Sequence, residues 1–295
     1  MDGTLIVGVD GSGAALRALD WAADEAVRGG FPLRIVHASG WEWYEGHEPS
    51  FGINRDVVRA QADRVLADAA ARARDRTGSA VITGEVLDED PAAALIRESR
   101  RAAGVIVGSR GRGRLTGLLL GSVSLAVAAH APCPVTVVRG GEQSLRGGFG
   151  RVVVGVDEAA GAGAAVGFAV RAARWRGAEL LAVHAWRRPA PEAAAGPSTP
   201  GAAGPHQEGR HQEGRHEQEL DAALHAAVRA HGAVDVRREA VEGQARAALL
   251  DASATADLLV VGARRRTGHT GLQLGRVNHA VLHHAACPVA VVPRA

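Results

Sequence analysis

The chain has 295 residues, 46% of them hydrophobic, and its 34 cationic side chains are all arginine against 32 acidic ones, a formal net charge of +2. So even a balance gives no global basic field for nucleic acid, and a chain without lysine has no Walker-type loop, whose lysine reaches the outer phosphates. No window approaches the roughly 18 to 20 apolar residues of a membrane helix and no charged start leads into an apolar leader, so a cytoplasmic protein without a membrane partner is expected.

Leu5 to Val9 is a short continuous apolar run that reads as a strand. Ala14 to Val27 follows as a helix with Leu16, Leu19, Ala23, Ala26 and Val27 on one stripe, stopped by Gly29 and Gly30. Leu33 to Ala38 is the second strand, and Asp56 to Arg74 is a long helix with Val58, Ala62, Val65, Leu66 and Ala69 in period. A third strand, Ala80 to Leu87, leads to a helix from Pro91 to Arg101 with the proline in its first turn. Val105 to Gly108, a helix beginning at Ser122 and a strand from Val135 to Val138 complete the unit. Apolar strands without alternation, interleaved with helices, make a parallel sheet covered on both faces.

The unit then repeats. Leu5 to Asp10 returns as Val152 to Asp157, and Ile35 to Ala38 as Ala182 to Ala185, both displaced by 147 residues. Val105 to Gly108 returns as Leu259 to Gly262, Gly121 as Gly275 and Cys133 to Val135 as Cys287 to Val289, displaced by 154. The seven-residue difference places a net insertion between His184 and Gly262, in the low-complexity stretch 189–216. That stretch repeats Gln-Glu-Gly-Arg-His and cannot bury a core. Its His206, His211 and His216 come five apart without cysteine partners, which is poor metal-ligand spacing, and no metal site is expected. Two domains follow, 1–140 and 150–295, joined by a linker at Arg139 to Gly150. Cys133 and Cys287 hold matching places before a proline and an apolar strand, the setting of buried structural thiols rather than a disulfide.

The chemistry concentrates in Gly-x2-Gly-x9-Gly-Ser, running from Gly108 to Ser122 at the end of the fourth strand. Its glycines allow a ligand to approach main-chain N–H groups, and Ser122, read as an N-cap, opens a helix whose N-terminus attracts anions. A plain surface turn is the alternative reading of the same glycines. In an open parallel sheet of order 3-2-1-4-5 ligands sit beyond the carboxyl ends of the strands where the order reverses, so Asp10 and the loop would share one cleft. Asp10 also reads as a cap or turn residue before Gly11 and Ser12, and His37 and His184 as satisfied residues at the core edge. Arg110, Arg112 and Arg114 could reach phosphate or simply form a solvated loop.

Val-Gly-Val-Asp-Gly-Ser at Val7 to Ser12, Val36-His37-Ala38, the long glycine motif and Cys-Pro-Val at Cys133 to Val135 together resemble the universal stress protein family, as two tandem copies covering nearly the whole chain. The first copy matches every fixed position of the glycine motif that marks the ATP-binding branch. The resemblance implies an α/β fold of two doubly wound five-stranded domains, a pseudo-dimer of the two within the chain joined through Val135 to Val138 and Val289 to Val292, and ATP binding in stress adaptation. A homodimer of whole chains is left open, and no protein partner is implied. Carried over by position, Asp10 meets the ribose or adenine side and Ala38 meets adenine through its backbone. Gly108 and Gly111 line the ribose and first phosphates, while Gly121, Ser122, Val123 and Ser124 hold the outer phosphates through N–H and hydroxyl groups. Gly11, Ser12 and Arg110 complete the expected set, with Mg2+ accompanying the phosphates.

The second copy departs from this pattern: Gly111 becomes Arg265, Ser122 becomes Arg276, Ser124 becomes Asn278, and Gly11-Ser12 becomes Glu158-Ala159. ATP is therefore expected mainly in the first domain, in a nucleotide-dependent regulator or interaction module. A slow ATP hydrolase is the alternative, with only Asp10 available as a base near the loop. Another adenine ligand such as cyclic AMP is a further one.

Overall fold

The computed structural model describes residues 3–39, 55–78, 80–111, 120–156, 163–186, 221–222, 224–263 and 274–293. The first unit runs β1 (Thr4–Gly8), α1 (Gly13–Gly29), β2 (Leu33–Ala38), α2 (Arg55–Thr77), β3 (Ile82–Leu87), α3 (Pro91–Glu98), β4 (Ala102–Gly108), α4 (Ser122–His130) and β5 (Val135–Val138). The second runs β6 (Arg151–Val156), α6 (Gly163–Arg176), β7 (Glu179–Trp186), α7 (224–231), β8 (Val236–Glu242), α8 (Ala245–Ser253), β9 (Leu258–Ala263), α9 (Arg276–His284) and β10 (Val289–Pro293). A one-turn helix, α5 (Glu142–Leu145), lies in the linker, where composition alone points to loop.

Helix α1 shows how local chemistry sets the frame. The Ser12 hydroxyl accepts the Ala15 N–H at its start, and Gly30, at φ 67°, closes its end by returning its N–H to the Ala26 and Val27 carbonyls. Its small buried face, Ala15, Ala18, Leu19, Ala22 and Ala26, packs on the sheet. The opposite side is held to α2 by two bidentate pairs, Asp20 with Arg72 and Asp24 with Arg76, at 2.6 to 2.8 Å. The helix expected from Pro91 to Arg101 ends at Glu98 and tightens into a 3-10 turn at Ser99–Arg101. β4 then starts at Ala102, three residues before Val105, because Thr4 and Leu5 of β1 pair with Ala102 and Gly104.

The strands form one ten-stranded sheet, β3-β2-β1-β4-β5-β10-β9-β6-β7-β8, so each unit has the order 3-2-1-4-5. Pairing is parallel within each unit, and β5 meets β10 antiparallel, with Val137 opposite Val289 and Val135 opposite Val291. Each face of the sheet carries a core that runs through both units: α1, α2 and α6 cover one, α3, α4, α8 and α9 the other. Buried leucines such as Leu19, Leu33, Leu180 and Leu259 each contribute about 1.5–3 kcal/mol by leaving water.

A polar seam crosses between the units. The buried carboxylate of Glu25 on α1 pairs with Arg176 at the end of α6 at 2.7 Å, accepts the Trp175 indole N–H at 3.2 Å and meets Arg28 at 2.9 Å. The Arg176 guanidinium lies 5.2 Å above the Trp21 ring, and the Phe31 edge meets Trp175 at 5.6 Å. Burial pushes the Arg176 pKa down and the Glu25 charge opposes that shift. On the linker side, the buried carboxylate of Asp257 accepts the N–H groups of Phe149 and Arg151 at 3.0 and 3.1 Å.

Candidate functional site

β1 has β2 on one side and β4 on the other, so chain order reverses at its carboxyl end, and a cavity of about 330 Å³ opens there. One side of it is apolar: Val36 and Ala38 of β2, Val107 of β4, and Pro91 and Leu95 of α3. Polar groups gather at the other end, with Asp10 after β1, Arg110 and Gly111 after β4, and Gly121 to Ser124 at the start of α4. The size suits a small organic ligand, and the division suits one with a flat apolar part and an anionic tail.

Close approach explains three glycines. A Cβ on Gly8 would come within 2.9 Å of Leu95 Cδ1, so the bare backbone of β1 lets Leu95 form the apolar wall. One on Gly108 would meet the Ala14 carbonyl at 2.8 Å, where the start of α1 crosses β4. One on Gly111 would meet Asp10 Oδ2 at 2.6 Å, so the loop packs directly on the carboxylate. The other carboxylate oxygen, Oδ1, accepts the Ser12 N–H at 2.9 Å across a turn in which Gly11 takes φ 79°.

The N-cap of α4 is Gly121, not Ser122 as the residue types suggest; Ser122 is the first helical residue. Glycine has no side chain to cap with, and its own N–H goes to the Ser109 carbonyl at 2.8 Å. The N–H groups of Ser122, Val123 and Ser124 thus open the helix, where the intrahelical pattern supplies no acceptor, beside the cavity and at the positive end of the dipole. The Ser124 hydroxyl is not free to donate to a ligand: it is buried and gives its proton to the Gly108 carbonyl at 2.6 Å, tying α4 to the end of β4.

Nine of the eleven residues expected at the site, Asp10, Ala38, Gly108, Arg110, Gly111, Gly121, Ser122, Val123 and Ser124, line this cavity. Gly11 and Ser12 do not. They act behind it, shaping the turn that holds Asp10 and capping α1. The apolar wall of Val36, Pro91, Leu95, Val107 and Leu120 was not among the expected residues. The chain order carried a signal for part of it: α3 begins directly after β3, so Pro91 must stand at the carboxyl edge of a parallel sheet. His37 is buried below the site with Nδ1 2.8 Å from the Val9 carbonyl, and His184 repeats that bond to Val156 at 3.2 Å. Arg110 stands close enough to Arg139 to help burial lower the Arg139 pKa.

In the second unit Gly275 caps α9 as Gly121 caps α4, again without a side-chain bond, and Arg276 is the first helical residue. Asn278 occupies the place of Ser124 and donates Nδ2–H to the Gly262 carbonyl at 3.0 Å. Asp157, Glu158, Ala159 and Arg264 to Arg266 lie outside the described residues, as do Arg112, Arg114, His206, His211 and His216. Cys133 and Cys287 are buried free thiols, and burial pushes the pKa of each up to about 12. Among the described residues no helix is long and apolar enough to cross a membrane.

Fold and site together define a tandem, doubly wound α/β protein with a cleft at the switch point of its first sheet half. Residues 1–139 and 148–293 both match the universal stress protein family, and the chain belongs to that family. It is 33% identical over 303 residues to universal stress protein Rv1996 of Mycobacterium tuberculosis, covering 97% of this chain and 94% of the relative. Universal stress protein Rv2623 of the same organism is 32% identical over 297 residues, covering 97% and 95%. In three dimensions the chain is similar to the crystal structure of a universal stress protein from Archaeoglobus fulgidus DSM 4304, with a TM-score of 0.69 at 20% identity over 99% of this chain and 98% of that one.

Proposed function

We propose that the first unit binds ATP and that the protein works as a nucleotide-dependent regulator or interaction module in stress adaptation. The observation that carries this reading is the pairing, in one cavity, of an apolar slot with a helix N-terminus whose cap, Gly121, has no side chain to bond its first N–H groups. The base would lie between Val36, Pro91, Leu95 and Val107, with the backbone of Ala38 at its edge. Asp10 would accept from ribose hydroxyls. Gly108 and Gly111 let the sugar and first phosphates come close to main chain, and the N–H groups of Ser122 to Ser124, helped by Arg110, would hold the outer phosphates. Mg2+ would travel with those phosphates and supply charge neutralisation there.

Among the described residues lining the cavity Asp10 is the single carboxylate, which is a thin constellation for turning over ATP. Release of bound nucleotide on denaturation, followed by chromatography, tests the reading. ATP in the supernatant supports it, ADP alone favours slow hydrolysis, and cyclic AMP would replace the ligand while leaving the site. A protein that carries no nucleotide and binds none on titration would overturn it.

A further inference from the structure

Helix α9 carries an arrangement that its counterpart α4 lacks. His279 and His283 stand four residues apart, and therefore on one helix face, with ring centroids 6.2 Å apart and planes inclined by only 21°. The 154-residue offset matches them to Leu125 and Ala129 of the first unit, where Leu125 packs against the core. The fold is thus built in α4 without imidazoles at these positions. His284 differs, since His130 holds its place in α4.

We propose that His279 and His283 form a surface chelate for a divalent transition-metal ion that favours imidazole, Cu2+ or Ni2+, with water filling the remaining positions. His279 is exposed and His283 half-buried, and among the described residues neither ring has a hydrogen-bond or ion-pair partner. His283 sits in the last turn of α9, where the helix dipole favours cations, and His279 stands one turn before it. Imidazole nitrogen is a ligand that late first-row divalent ions prefer, and a tetragonal ion accepts two such nitrogens side by side. Burial, with His279, His284 and Arg139 beside it, pushes the His283 pKa down. Arg139, whose Nη1 donates to the Leu282 carbonyl, opposes an incoming cation as it opposes a proton. Among the described residues no group of three or more His, Cys, Asp or Glu is arranged to hold a metal, so the site rests on the pair and exchanges its ion readily.

Titration of the full chain with Cu2+, followed through histidine ring resonances, tests this directly. The signals of His279 and His283 should broaden together before those of His206, His211 and His216. His279→Gln and His283→Gln should each weaken the site by about tenfold or more, and the double variant should add little, because losing either arm already removes the chelate. The melting temperature without metal controls for folding. Broadening that begins in the 189–216 stretch and spares His279, or additive effects of the two substitutions, would overturn the proposal.

Discussion

Asn278 Nδ2 donates to the Gly262 carbonyl at 3.0 Å, in the place where Ser124 Oγ donates to the Gly108 carbonyl at 2.6 Å. The serine-to-asparagine difference between the units therefore conserves a bond that ties a helix start to a strand end. The hydroxyl that residue type alone assigns to phosphate is the one that makes this bond. Ser124→Asn should leave ATP binding close to that of the parent protein. Ser124→Ala should cost about 1 kcal/mol of stability, read from urea unfolding, by orphaning a buried carbonyl. Strong loss of ATP affinity in both variants would show that the hydroxyl serves the ligand instead.

Gly121→Asp separates helix capping from ligand binding. A Cβ at Gly121 meets nothing nearer than Arg110 Cα at 3.6 Å, so the substitution fits. Aspartate is as good a cap as any residue and should stabilise α4 by a few tenths of a kcal/mol, about what glycine-to-aspartate changes give at N-caps. It also places a carboxylate where phosphate is proposed to sit. The expected outcome in calorimetry is an unchanged or higher melting temperature with ATP binding lost.

Gly108 and Gly111 should respond differently to alanine. At Gly108 the new methyl meets the Ala14 backbone at 2.8 Å, which cannot yield without moving α1, so a loss of about 1–3 kcal/mol is expected. At Gly111 it meets a carboxylate oxygen of Asp10 at 2.6 Å, and a side chain can rotate away. Gly111→Ala should thus keep its stability and lose nucleotide affinity by displacing Asp10. Denaturant unfolding beside titration calorimetry distinguishes the two.

Repeats, strand order and the meeting of Asp10 with the glycine loop were legible because they follow from chain periodicity and from the geometry of parallel sheets. The apolar wall was less so, since Leu95 reaches the cavity only through the space left by Gly8, a tertiary fact with no local signature. Gly121 as the cap was not legible because Ser122 is the better capping residue by type, whereas the bond from the Gly121 N–H to the Ser109 carbonyl is tertiary. The Asn278 bond spans sixteen residues and joins a side chain to a backbone atom, which residue type alone does not announce.

The Glu25 and Arg176 pair should make the two units melt as one. Glu25→Ala leaves Arg176 as a buried charge and should cost about 3–5 kcal/mol, whereas replacing both residues by methionine should be far milder. A single calorimetric transition in the parent protein, and a larger loss for the single than for the double change, are the expected results.

The thiols should be inert. With pKa values pushed up to about 12, Cys133 and Cys287 stay protonated and buried through pH 9, and the thiolate is the reactive form. Native protein should resist labelling by a disulfide reagent at pH 8, and both cysteines should react promptly once urea is added.

The stoichiometry of ATP binding to the full chain, measured by equilibrium titration calorimetry in the presence of Mg2+, tests the central claim most directly. About one site per chain is expected, abolished by Gly121→Asp. Two sites of equal affinity, or one that persists in that variant, would contradict it.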